Sequence, residues 1–182
     1  MQKKKTSLMV ALAMFAALVI VLQVVATFIK IGSFPITLTL VPIIVAGALY
    51  GPKAGSLMGL VFGVVVLAMV VVGADPGGQA LFALRPLVTS VVCIIKGVLA
   101  GLAAALIFKA ISKQNKKFAL FMAGLVCPLV NTGTLYLVLF VFFEASLASI
   151  LSALMSVNFL IEVCINALLA PGLYILIKNK SS

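Results

Sequence analysis

Long apolar stretches alternate along this chain with short connectors that carry glycine, proline and most of the charged residues. A helix needs about 20 consecutive apolar residues to cross the roughly 30 Å hydrocarbon core of a membrane. The pattern predicts six such helices, at residues 8–29, 37–50, 53–73, 86–109, 118–143 and 149–177. A turn at Gly51-Pro52 separates the second helix from the third, because one fused helix would greatly exceed the membrane thickness.

The composition of the chain supports the same class of protein. Of its 182 residues, 65% are hydrophobic and 9% are charged, which leaves too little polar surface to coat a soluble domain. The six predicted helices and their connectors use up the length. We therefore expect residues 1–182 to form a single domain, an all-α integral membrane protein with six transmembrane helices.

The basic residues are concentrated on alternate connectors. Ten of the 13 Lys and Arg residues precede the first helix, follow the last, or lie between helices two and three and between helices four and five. Because basic connectors tend to stay in the cytoplasm, this bias predicts that the N- and C-termini are both cytoplasmic. The net charge of +10 then reflects contact with anionic lipid of the cell membrane, and no nucleic-acid partner is required.

Small residues recur at every fourth position in three of the predicted helices. The stripes are Gly51, Gly55, Gly59 and Gly63 in the third helix, Gly97 and Gly101 in the fourth, and Ala13 and Ala17 in the first. Inside lipid, such stripes let helix backbones approach closely. We expect the glycine stripes to be internal packing surfaces. For the alanine stripe, packing within the bundle and contact with a partner subunit both stay open.

Three polar residues, Lys96, Asn131 and Glu162, are predicted near the middle of the membrane. At 1.5 Å per residue, Lys96 and Glu162 lie roughly 16 to 20 Å below the outer surface. Asn158 precedes Glu162 by four residues and so shares its helix face. Lipid cannot satisfy such groups, so they should point inward together. Two interpretations stay open: a structural Lys96–Glu162 ion pair bridged by the asparagines, or the lining of a pocket for a polar solute.

The connector from residue 73 to residue 84 is predicted on the outer side and is rich in glycine. It is either a lid that closes over a ligand or a plain solvated loop. The chain has no histidine, no phosphate-binding loop and three acidic residues, so it lacks the ligands for a metal site and the groups for paired-carboxylate catalysis. We expect neither an enzyme nor a cofactor-binding protein.

Several short motifs occur in a fixed order over essentially the whole chain. They are a lysine-rich start followed by Ala13 and Ala17, Phe34-Pro-Ile-Thr-Leu-Thr before a Tyr-Gly-Pro-Lys-Ala-Gly turn, Lys96-Gly-x-x-Ala-Gly101, Asn131-Thr132, and Asn158-x-x-x-Glu162. In this combination the sequence resembles the S component of an energy-coupling factor (ECF) transporter, the substrate-binding membrane subunit of a bacterial ABC-type vitamin uptake system. The resemblance implies capture of a vitamin or related micronutrient from outside, and docking on a transmembrane coupling subunit that carries two ATPase subunits.

The resemblance also implies roles for individual residues. It assigns docking to Ala13 and Ala17, and substrate binding to Lys96, Asn131, Asn158 and Glu162, with Arg85 and Phe34 as further candidates. Thiamine is disfavoured because the chain has no tryptophan on which to stack it. Arg85 and Lys96 on one side of helix four favour a carboxylate-bearing ligand such as pantothenate, while riboflavin, folate, pyridoxine and a pyrimidine precursor stay open.

Two other functions are compatible with the residues. In one, the chain is a self-sufficient secondary transporter in which Glu162 carries a proton. In the other, it is a purely structural membrane subunit whose polar residues only lock the helices together.

Overall fold

The computed structural model describes residues 2–26, 30–31, 34–35, 38–143 and 159–174. These residues form seven helices: α1 (Gln2–Ala26), α2 (Leu40–Tyr50), α3 (Pro52–Val71), α4 (Pro76–Leu84), α5 (Pro86–Ile111), α6 (Lys116–Phe142) and α7 (Phe159–Tyr174). Two-residue strands, β1 (Lys30–Ile31) and β2 (Phe34–Pro35), pair in antiparallel fashion between α1 and α2.

Four of the described helices, α1, α3, α5 and α6, are long and apolar enough to cross a membrane, and α2 and α7 are shorter apolar helices. Each of the six predicted spans thus overlaps one apolar helix, although residues 149–158 and 175–177 of the last span lie outside the described part. The all-α membrane class is confirmed. Six complete crossings and cytoplasmic termini stay predictions.

The predicted turn between the second and third helices is present. Gly51 has a φ of 90°, a backbone conformation that favours glycine, and its N–H donates to the carbonyl oxygen of Gly47 at 2.9 Å to end α2. Pro52 then begins α3, where its missing N–H costs nothing.

The segment from residue 73 to residue 84 is predicted from the sequence to be either a lid or a plain solvated loop. Most of it is the nine-residue helix α4, so the expectation of a plain solvated loop is wrong. The carboxylate of Asp75 caps this helix by accepting a hydrogen bond from the N–H of Gly78 at 3.2 Å, and Pro76 occupies the first turn. These two start signals outweigh the helix-weakening effect of the glycines.

Helices α3 and α5 pack backbone to backbone along the predicted glycine stripes. A Cβ atom added to Gly55 would lie 2.5 Å from the carbonyl oxygen of Gly101, and Gly59 and Gly97 each stand against the other's carbonyl oxygen. A Cβ at Gly63 would lie 2.6 Å from the carbonyl oxygen of Cys93. The prediction that the glycine stripes are internal packing surfaces is therefore confirmed, except at Gly51, where a Cβ atom would meet nothing within 4 Å.

Helix α7 approaches α6 closely at a single glycine. A Cβ atom added to Gly124 would lie 2.7 Å from the carbonyl oxygen of Asn166. The side-chain amide of Asn166 is fully buried and donates to the carbonyl oxygen of Glu162 at 2.7 Å. The close approach at Gly124 packs the described part of α7 against α6, whereas the Asn166 hydrogen bond lies within α7 itself.

Helix α1 contributes one narrow stripe to the bundle. Its buried residues are Phe15, Val19, Gln23 and Ala26. Ala13 and Ala17 are exposed, because at 3.6 residues per turn they fall on a different side of the helix. Packing of the alanine stripe within the described bundle is therefore not observed, and contact with a partner subunit stays a prediction.

Candidate functional site

A cavity of about 70 Å³ lies among α1, α3, α4, α5, α6 and α7. Three residues predicted from the sequence, Lys96, Asn131 and Glu162, line it together. Glu162 is 5% exposed and Asn131 is 4% exposed, so both are removed from the surrounding lipid. The structure thus brings the main candidates from three different helices to one place.

The described part of the structure does not place the other predicted site residues at the cavity. Arg85 is exposed, at the residue before α5 begins. Phe34 lies in β2, and its side chain is outside the described part of the structure. Asn158 also falls outside the described residues, since α7 begins at Phe159. The assignment of these three residues to the site stays a prediction.

One face of α5 forms a wall of the cavity. Thr89, Cys93 and Lys96 are spaced by four and then three residues, and all three line the cavity. This spacing keeps them on the same side of the helix. From Thr89 to Lys96 the wall is about 10 Å deep, at 1.5 Å per residue.

Lys96 is the only cationic side chain among the described residues that line the cavity. Its ammonium nitrogen lies 5.9 Å from the ring centroid of Phe62, within the range of a cation–π interaction. Phe62 belongs to α3 and is 1% exposed. The ring therefore stabilises the positive charge inside the bundle without neutralising it. Two carboxylates, those of Asp75 and Glu162, line the same cavity.

The side-chain oxygen of Asn131 is buried and has no hydrogen-bond partner among the described residues. An unsatisfied buried acceptor costs about 1 to 3 kcal/mol, so its presence calls for a reason. Asn131 faces the cavity, where a solute with a donor group would satisfy the oxygen. This geometry favours the pocket interpretation over a purely structural role for Asn131.

Neighbouring threonines of α6 behave differently. Thr132 lines the cavity beside Asn131. The hydroxyl of Thr134 instead donates to the carbonyl oxygen of Val130 at 2.6 Å, within its own helix. The polar groups that α6 offers to the cavity are therefore Asn131 and Thr132.

Sequence reasoning missed several polar residues of the cavity: Gln23, Asp75 and Thr89. Gln23 comes from α1, where it is a lone amide in a long apolar stretch. That isolation is the signal that could have found it. Asp75 was placed in an outer connector, and its burial at 8% exposure follows from the helix that it caps.

The cavity is smaller than the solutes expected from the sequence. A cavity of about 150 Å³ accommodates benzene, whereas one water molecule needs about 10 to 15 Å³. A volume of about 70 Å³ is therefore too small for a vitamin. Entry of such a solute requires the walls to move apart.

A bundle of apolar helices with a polar cavity between them is typical of a membrane protein that handles a polar solute. The family model "ECF transporter, substrate-specific component" matches residues 7–174. The chain therefore belongs to the family of ECF transporter substrate-specific components, which are transporter subunits of the membrane.

A characterised relative agrees with this assignment. The chain is 25% identical over 188 residues to a protein of Lactococcus lactis subsp. cremoris (strain MG1363), the pantothenic acid transporter PanT. The alignment covers 95% of this chain and 94% of the relative. The resemblance noted from the sequence motifs is thus confirmed at the level of the family.

Proposed function

We propose that this chain is the substrate-binding subunit of an ECF transporter and that its cavity captures pantothenate from outside the cell. The observation that carries the proposal is the cation Lys96, the only one among the described residues that line the cavity, beside amide and hydroxyl groups. The similarity to a pantothenic acid transporter supports the same ligand.

The chemistry of pantothenate matches this set of groups. It carries one carboxylate, two hydroxyls, one amide and a dimethyl-substituted carbon. In the proposed complex, Lys96 binds the carboxylate, and the apolar wall that includes Val66 and Leu135 contacts the dimethyl group. Glu162 and the unsatisfied oxygen of Asn131 are acceptors for the ligand's hydroxyl and amide protons.

The role of Lys96 is tested with panthenol, in which an alcohol replaces the carboxylate of pantothenate. Calorimetry on the purified wild-type protein should give tighter binding of pantothenate than of panthenol. A hydrogen bond to a charged group contributes about 1.5 to 3 kcal/mol, so Lys96→Met should lower pantothenate affinity by about 10- to 150-fold. The same change should leave panthenol affinity almost unaltered.

Lys109 provides a matched control, because it lies in the last turn of the same helix and is exposed. Lys109→Met should preserve the preference for pantothenate. A wild-type protein that binds no pantothenate would exclude this ligand. Binding that Lys96→Met leaves intact would instead show that pantothenate occupies another site.

We further propose that the exposed Ala13 and Ala17 of α1 form the docking face for the coupling subunit, which carries two ATPase subunits. Small residues permit the close helix contacts on which association inside lipid depends. Ala13→Trp should abolish co-purification with the coupling subunit. Leu137→Trp, at a position of α6 that is 68% exposed, should not affect it, and equal loss in both variants would contradict the assignment.

The burial of Glu162 in the cavity favours one rival function, proton-coupled transport by the chain alone. Vesicles that contain only this protein distinguish the two. As a binding subunit, the chain should not accumulate radiolabelled pantothenate when a pH gradient is imposed. Accumulation that Glu162→Gln abolishes would establish the rival function in its place.

A further inference from the structure

Gln23 is a buried polar residue of the cavity that the predicted site does not include. It lies in α1, is 3% exposed and lines the cavity that also contains Lys96. The other buried residues of this helix are the apolar Phe15, Val19 and Ala26. Among the described side chains of α1, Gln23 is therefore the one polar group in the interior.

The amide of Gln23 is held in a defined orientation by Thr39. The hydroxyl of Thr39 donates to the side-chain oxygen of Gln23 at 2.9 Å, and Thr39 is fully buried. Although Thr39 precedes α2, its side chain makes no capping hydrogen bond to that helix. An amide offers up to four hydrogen-bonding positions, and the Thr39 bond uses one of them on the oxygen side.

Gln23 and Lys96 reach the cavity from different helices, α1 and α5. Gln23 is a neutral amide, whereas Lys96 is the only cation among the described residues that line the cavity. The two side chains therefore suit different groups of one ligand.

Pantothenate offers two such groups, a carboxylate at one end and two hydroxyls towards the other. On the basis of the proposed function, we propose that Gln23, oriented by Thr39, is a specificity-determining residue that binds the hydroxyl-bearing end of the ligand. Lys96 holds the carboxylate at the other end.

The proposal is tested with the two enantiomers of pantothenate, which differ in the direction of the hydroxyl on the stereogenic carbon. Affinities are measured on the full-length purified protein by displacement of labelled D-pantothenate, a format that also reaches weak binding by the L form. Gln23→Met should lower D-pantothenate affinity by about 3- to 10-fold, the contribution of one hydrogen bond between neutral groups. The preference for D over L should fall by the same factor.

Two further variants separate ligand contact from helix packing. Lys96→Met should reduce the preference for pantothenate over panthenol and keep the D-over-L preference. Gln23→Met should keep the preference for pantothenate over panthenol and reduce the D-over-L preference. Thr39→Val should lower the D-over-L preference when Gln23 is present and have no further effect in the Gln23→Met background. Because Thr39→Val removes no helix cap, it serves as the test if Gln23→Met does not fold.

The outcomes also separate this inference from the proposed function. If the wild-type protein does not bind D-pantothenate, the proposed ligand is wrong. A second outcome is that the wild-type protein binds, while Gln23→Met lowers the D and L affinities equally or leaves both unchanged. In that case Gln23 packs α1 against α2 and does not contact the hydroxyl of the ligand. A lower D-over-L preference with an unchanged preference for pantothenate over panthenol supports the inference.

Discussion

Helices α3 and α5 face each other along two regions of opposite character. In the first, Gly55, Gly59 and Gly63 of α3 bring the two backbones into direct contact. In the second, beyond Gly63, α3 presents Val66 and Val70, and these side chains line the polar cavity. The glycine region excludes any solute, whereas the cavity region contains charged and amide groups.

The difference shows how one pair of helices combines cohesion with solute binding. In lipid, close packing holds helices together because there is no hydrophobic driving force between them. The glycine region supplies that packing and leaves no volume to fill. The cavity region instead carries buried polar groups, such as the unsatisfied oxygen of Asn131, that weaken the bundle. The packing of the glycine region therefore offsets the destabilising effect of the polar groups in the cavity region.

The largest expected effect comes from adding one methyl group to the glycine region. In Gly59→Ala the new Cβ meets the carbonyl oxygen of Gly97, so the two backbones must separate. Overpacking of this kind costs about 1 to 3 kcal/mol. Thermal unfolding, followed by the reaction of the buried Cys93 and Cys127 thiols with a maleimide dye, should occur at a clearly lower temperature.

Gly133 provides the control for this change, because a Cβ atom there would meet nothing within 4 Å. Gly133→Ala should leave the unfolding temperature unchanged or raise it, since alanine is the better helix former by about 1 kcal/mol. Equal destabilisation by both substitutions would mean that the glycine region has no special role in cohesion.

A substitution in the cavity region should stabilise the protein, whereas Gly59→Ala destabilises it. Asn131→Leu removes the unsatisfied buried oxygen and should raise the free energy of unfolding by about 1 kcal/mol. The same substitution should weaken pantothenate binding several-fold, because a ligand donor loses its acceptor. Thermal unfolding and calorimetry on one preparation measure both effects. A variant that is less stable than the wild type would show that Asn131 supports the bundle and not the ligand.

The features predicted well from the sequence are those with a large energetic cost in lipid. Apolar length located the helices, since a span must cover the hydrocarbon layer. The glycine spacing identified the packing surfaces of α3 and α5 but not that they face each other, and the cost of buried charge identified Lys96 and Glu162 as inward-facing. Each of these sequence patterns reflects a large energetic cost in lipid, and few other arrangements of the helices avoid that cost.

The features that were missed depend on smaller or more local effects. Gln23 is the one amide in the predicted first helix, at residues 8–29, and that helix has no charged residue, so no spacing of amides and charges marked it. Thr134 is also polar and lies near Asn131 in α6, but its hydroxyl donates to the carbonyl oxygen of Val130, as threonines in helices often do. Helix α4 was read as a connector because its glycines masked the start signal at Asp75 and Pro76.

The smallest expected effect concerns α4, which contributes Gly78 and Leu81 to the end of the cavity away from the glycine region. Asp75→Ala removes the capping hydrogen bond and should cost about 1 kcal/mol, confined to this short helix. Hydrogen exchange of the α4 amides should become about 5-fold faster, while the amides of α3 near Gly59 exchange as in the wild type. Asp75→Ser keeps a capping oxygen without the charge and should exchange nearly as slowly as the wild type. If both variants exchange equally fast, the negative charge and not the cap holds α4 over the cavity.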